Sequence, residues 1–127
     1  MSDASHKKVL IADDEQNIVI SIEFLMKREG FQVLIARDGE EALNKVMTEH
    51  PDLILLDVMM PKKNGYEVCQ SIKSDPTLAG TKVLMLTAKG RDTEVAKGLA
   101  IGADAYMTKP FSTRDLVAKA KELLSIA

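Results

Sequence analysis

Short apolar runs alternate with longer amphipathic segments along most of this chain. Those at residues 8–12, 32–36, 53–56, 82–86 and 105–107 have the length and apolar density of strands. Between the first two, Ile18, Ile22, Leu25 and Met26 recur at i, i+4, i+7 and i+8, one face of a helix. Gly30 then stands where a glycine cap closes a helix. Asp38 is placed to cap a second helix, which turns Ala42, Leu43, Val46 and Met47 inward until Pro51 stops it. A third helix is expected from about residue 65 to 73. A fourth, 92 to about 100, is weakened by small apolar residues and Gly98. The fifth begins at Ser112 or Thr113 and carries Leu116, Val117, Ala120, Leu123 and Leu124; Asp115 three residues after Ser112 resembles a capping arrangement.

The first and third strands are almost wholly apolar, which implies helices on both faces of a parallel sheet. Five strands and five helices joined by right-handed crossovers make a three-layer α/β domain. It spans residues 1–127 as one unit, with its core at about 8–124. No repeat, linker or low-complexity tract divides it.

Composition removes several function classes. The apolar fraction of 46% suffices for a core, so disorder is not the expectation. A net charge of −2, with no basic cluster, lacks the footprint of a nucleic-acid binder. The single Cys69 allows no internal disulfide and no cysteine-rich metal motif, and reads as a packed side chain. His6 and His50 lack ligand-spaced partners and read as solvated. The apolar run after the polar start is too short for a signal segment, and no stretch approaches a membrane span. A cytoplasmic location is therefore expected.

The candidate chemistry lies where strands end. Asp13 and Asp14 close the first apolar run and Asp57 closes the third, and ligand sites of open α/β sheets form at such carboxyl ends. Three gathered carboxylates repel unless a cation neutralises them, and an all-oxygen set favours a hard ion such as Mg²⁺. Lys109, at the end of the fifth run, supplies further positive charge. Each residue also has a plainer reading. Asp57 suits a strand-end turn, Asp13 or Asp14 suits an N-cap for a helix starting near Gln16, and Thr87 and Tyr106 suit a strand.

Taken together, Asp13-Asp14, Asp57, Thr87-Ala88 and Lys109-Pro110-Phe111 fall in order at four strand ends, and the chain from about Lys8 to Leu124 resembles a receiver domain of the two-component response regulators. That resemblance implies a flavodoxin-like fold with strand order 2-1-3-4-5. It implies that Asp57 is the phosphoacceptor, charged by a sensor histidine kinase or a histidine phosphotransfer protein in a Mg²⁺-dependent reaction. Asp14 would be the direct metal ligand and Asp13 would act partly through water, with Asp57 and the Met59 carbonyl completing the protein set. Lys109 and Thr87 would meet the phosphoryl group, and Thr87 with Tyr106 would form the switch. Met59 and Lys89 would flank the attacking water, and the Lys109–Pro110 bond would be cis.

Two other classes fit the residues less well. An aspartyl phosphohydrolase of the haloacid dehalogenase type needs a second aspartate two residues after the nucleophile, where this chain has Met59. A flavodoxin-like cofactor binder needs a hydroxyl- or glycine-rich phosphate loop, where this chain has Asp13-Asp14-Glu15. The expected role is a switch that acts only on its own phosphoacceptor and touches neither nucleic acid nor membrane. It would be read by a downstream protein, an output domain or a second copy of itself, through the face of the fourth helix, fifth strand and fifth helix. Ending at Ala127, the chain is expected to be either a stand-alone regulator or the receiver of a longer one.

Overall fold

The computed structural model describes residues 7–88 and 101–126. The elements run β1 (Lys8–Ala12), α1 (Gln16–Arg28), β2 (Gln32–Ala36), α2 (Gly39–Glu49), β3 (Leu53–Asp57) and α3 (Gly65–Ser74). After a single 3-10 turn at Pro76–Leu78 come β4 (Lys82–Ala88), β5 (Ala105–Lys109) and the last helix (Thr113–Leu123). The fourth helix expected at 92–100 lies outside the described residues.

All five strands are parallel, in the order β2-β1-β3-β4-β5, which makes the fold a flavodoxin-like three-layer sandwich. Alternation along the strands separates two cores. Val9, Ile11, Leu53, Leu55, Leu84 and Leu86 meet α1 and the last helix on one face. On the other, Leu10, Ile54, Leu56, Val83 and Met85 meet α2 and α3. Every residue of β3 is buried, as an apolar run covered on both faces requires.

Three strands are longer than their apolar runs. Asp57 pairs with Leu86, Thr87 with Thr108, and Ala88 with Lys109. The backbone ladder continues although the side chains turn polar, so the candidate residues are the last rungs of the sheet. They inherit its rigidity.

Local signals explain the helix ends. Gly30 sits at φ 96, and α1 closes on it with Gly30 N–H donating to the Lys27 carbonyl at 3.0 Å and Phe31 N–H to the Met26 carbonyl at 3.1 Å. Asp38 caps α2 by accepting from Glu41 N–H at 2.8 Å. Asn64 and Glu67 form a reciprocal capping box on α3, and Ser112 accepts from Asp115 N–H at 3.0 Å. Two inward assignments shift. Val19, not Ile18, is fully packed beneath α1, while Ile18 is half-buried at the rim. Met47 is 53% exposed because α2 buries only the narrow stripe Gly39, Ala42 and Val46.

Candidate functional site

Strand order positions the site. From β1 the chain steps outward to β2, then returns past β1 to β3, so the crevice opens between β1 and β3 at their carboxyl ends. The period-two alternation then aims the charged groups. Asp13 follows Val9 and Ile11, Asp57 follows Leu53 and Leu55, and Lys109 follows Ala105 and Met107, all on the same side of the sheet.

These three side chains meet. Lys109 Nζ donates to Asp13 Oδ2 at 3.0 Å and lies 3.4 Å from Asp57 Oδ1. Asp13 is fully buried; its Oδ1 accepts from Glu15 N–H at 2.9 Å. This is the turn before α1 and not a helix cap: Glu15 occupies the N-cap position and makes no side-chain cap bond. Asp13 is thus committed to Lys109 and to the backbone, whereas Asp14 is exposed at the mouth. Oxygens of Asp13, Asp14 and Asp57 lie within 4.8 Å of one another, an all-oxygen cluster of the kind hard divalent cations occupy. The cluster is consistent with a metal-binding site.

A cavity of about 320 Å³ opens over the cluster, lined by Asp14, Glu15, Asp57, Met59 and Lys109. Met59 N–H points to Asp57 Oδ1 at 3.4 Å, and its side chain is 59% exposed. Burial, followed by the neighbouring Asp13 charge, pushes the Asp57 carboxyl up to about 6 against the opposing pull of Lys109. Burial opposes the Lys109 charge, yet its hydrogen bond to Asp13 and the charges of Asp57 and Asp13 outweigh that cost and hold the ammonium above the usual lysine range. Asp57 is therefore a poorly solvated carboxylate beside a firmly protonated lysine.

Thr87 and Tyr106 are placed differently. Thr87, 1% exposed, continues the alternation of Val83 and Met85, and Tyr106 packs half-buried against the same core. Both therefore belong to the face opposite the acidic cluster, and Thr87 stands one rung beyond the Asp57–Leu86 pair. The Lys109–Pro110 peptide is cis. Lys89 lies outside the described residues.

Two contributors escaped the sequence reading. Glu15 lines the cavity and gives its N–H to Asp13. Gly65 lets α3 start directly under the phosphoacceptor candidate, since an added Cβ would stand 2.5 Å from the Asp57 carbonyl oxygen and 2.9 Å from Val58 Cα. The available signal was a glycine just inside a helix start, at Asn64-Gly65, where helix propensity disfavours it.

The sequence matches the model of the response regulator receiver domain over residues 9–121. It is 48% identical over 119 residues to the alkaline phosphatase synthesis transcriptional regulatory protein PhoP of Bacillus subtilis (strain 168), covering 94% of this chain and 49% of that protein. The chain thus spans about half the length of that curated relative. Among solved structures, a presumed response regulator from Chloroflexus aurantiacus J-10-fl superposes with a TM-score of 0.90 at 33% identity, covering 94% of this chain and 98% of that one. The BeF3-activated DrrB receiver domain superposes with a TM-score of 0.84 at 36% identity, covering 94% and 97%. No helix among the described residues is long and apolar enough to cross a membrane. With an acidic cluster consistent with a phosphoacceptor site at the carboxyl edge of its sheet, the chain belongs to the response regulator receiver domain family of two-component signalling.

Proposed function

We propose that Asp57 is the phosphoacceptor and that its phosphorylation switches the surface this domain presents to other proteins. The observation that carries this reading is the placement of one half-hidden carboxylate, its lysine partner and two further aspartates around a single open cavity. Above about pH 6 the Asp57 carboxylate is ionised and meets an incoming phosphorus atom from the cavity side. With a phosphohistidine donor, an Asp57 oxygen forms the new P–O bond while the P–N bond breaks. The imidazole leaves with the electron pair and takes a proton from solvent. Lys109 then transfers its ammonium from the Asp13 pair to a phosphoryl oxygen, so the added charge of about −1.5 to −2 is met in place.

Mg²⁺ would be held by Asp14, by Asp13 in part through water, by Asp57 and by the Met59 carbonyl, and when bound it supplies neutralising charge at the phosphoryl oxygens. Asp13 keeps Lys109 aimed, and Met59 N–H holds the Asp57 carboxylate in orientation. Hydrolysis returns the group to water, so the domain acts only upon itself. The donor class is a sensor histidine kinase or a histidine phosphotransfer protein. An apolar groove of about 510 Å³ beside the cavity, built on Ile18, Pro110 and Phe111, supports protein docking there.

On the output side, Thr87 turns toward the phosphoryl group and Tyr106 follows it. The output surface in this reading comprises the exposed part of β5 and the last helix, together with the fourth helix expected at 92–100, and a target protein, an output domain or a second copy would bind there. The test is intact-mass analysis after incubation with a small acyl phosphate. Wild type should gain about 80 Da, one phosphoryl group, only with a divalent cation present, and Asp57→Asn should gain nothing. Equal labelling of the variant would reject Asp57.

A further inference from the structure

We propose that Gly39, the first residue of α2, is a positioning residue that holds the β3–α3 loop, and with it the backbone at Met59, in the form that accepts the metal. The proposal rests on the reading above, in which Asp57 and the Met59 carbonyl belong to the Mg²⁺ shell. α2 contributes no side chain to the cavity. Its first turn is nevertheless pressed against the loop that leaves Asp57.

Four observations describe that contact. A Cβ added at Gly39 would overlap the Lys63 carbonyl oxygen and stand 2.6 Å from both the Lys63 carbonyl carbon and the Lys63 Cβ. No such atom can be accommodated unless the loop backbone moves. Gly39 N–H, one of the donors that a helix start leaves without an internal partner, donates to the Pro61 carbonyl at 3.2 Å. Asp38, the α2 cap, adds an ion pair to Lys62 at 3.7 Å. The loop so held is tightly turned: Lys63 N–H also donates to the Pro61 carbonyl at 2.8 Å, across Lys62 at φ 69. Three-residue turns with a positive central φ are rare and strained, and a lysine there is held by its surroundings rather than by its own preference.

The far end of the loop is equally fixed, by Gly65 N–H donating to the Val58 carbonyl at 2.8 Å. Met59 and Met60 are therefore suspended between two anchors, and Gly39 is the one supplied from outside the β3–α3 connection. Its role is steric, since its φ is not in the left-handed region. The absence of a side chain is what the site needs at this position.

Mg²⁺ alone is the probe, titrated into the chain while the Met59 amide is followed by NMR, with urea midpoints measured in parallel. Gly39→Ala should weaken Mg²⁺ binding at least tenfold. Val46→Ala, which removes buried atoms from the same helix without entering the loop, should lower the urea midpoint yet keep the Mg²⁺ affinity within twofold of wild type. Gly80→Ala, where an added Cβ meets open space, should change neither. Gly39→Ala binding Mg²⁺ within twofold of wild type would overturn the proposal and leave the metal reading standing. No binding by wild type would reject the metal reading and the proposal together. Should Gly39→Ala not fold, the wild-type titration decides: the Gly39 and Lys63 amides should shift on the same saturation curve as Met59, and stationary amides there overturn the coupling.

Discussion

Replacing Asp57 by Asn should stabilise the metal-free protein near neutral pH, although Asp57 is the proposed centre of its function. The carboxyl rises from 3.8 to about 6 on folding, chiefly through burial and then the Asp13 charge. A carboxylate whose folded value lies above its unfolded one opposes folding when ionised. The penalty is absent well below pH 3.8, grows as the pH climbs toward 6 and is fully present above it. A rise of that size, which already includes the opposing pull of Lys109, corresponds to about 3 kcal/mol, an upper figure because the open cavity admits water. A gain of roughly 1–3 kcal/mol at pH 8 is expected. For a domain of this size that moves a urea midpoint by about 1 M with the slope unchanged. The assay is urea unfolding in a chelator at pH 8 and again at pH 4, where the gain should fall below about 1 kcal/mol. Saturating Mg²⁺ should also narrow the gap, because on the proposed reading the cation would stabilise the wild type by mass action and the variant much less. An equal or lower midpoint for Asp57→Asn at pH 8, or an undiminished gain at pH 4, would refute the electrostatic reasoning.

Further outcomes follow from the same geometry. Asp14→Ala should weaken Mg²⁺ binding more than Asp13→Ala, measured by amide shift titration, because Asp14 faces the cavity while Asp13 is engaged by Lys109 and Glu15. Met59→Asn should alter the rate of phosphoryl loss in a decay assay, since the exposed methionine lines the cavity that the attacking water would cross and brings no group able to act as a base. Thr87→Ala should still accept phosphate on Asp57 while showing a smaller amide response in β5 than wild type. Ile54→Ala, within the fully buried β3, should cost about 2–5 kcal/mol in urea unfolding without changing which residue is phosphorylated.

Most of the fold is legible in the sequence because its strands are buried on one or both faces and therefore read as apolar runs. The same signal hides the strand ends. Asp57, Thr87 and Lys109 look like the start of loops, yet parallel pairing carries the ladder through them. Hydrophobicity reports side-chain burial, whereas a strand continues as long as its backbone groups find partners. Periodicity likewise named the right face of α1 and α2 but not its width, so Ile18 sits at the rim and Met47 in solvent. The acidic residues were recognisable by position. Their division of labour was not, because the pairing of Lys109 with Asp13 spans 96 positions and the depth of Asp57 depends on the whole sheet. The close approaches at Gly39 and Gly65 leave only a faint mark, a glycine at a helix start, and become meaningful once the opposing backbone is seen.

The central claim, that Asp57 receives the phosphoryl group, is tested most directly by trapping the product chemically. Borohydride reduces an acyl phosphate to an alcohol, so a phosphorylated aspartate becomes homoserine and is located by peptide sequencing in a mass spectrometer. After phosphorylation with Mg²⁺ present, homoserine should appear at position 57 and not at 13 or 14. Homoserine at position 13 or 14 with Asp57 intact, or none at all in protein that carries the added phosphoryl mass, would contradict the account.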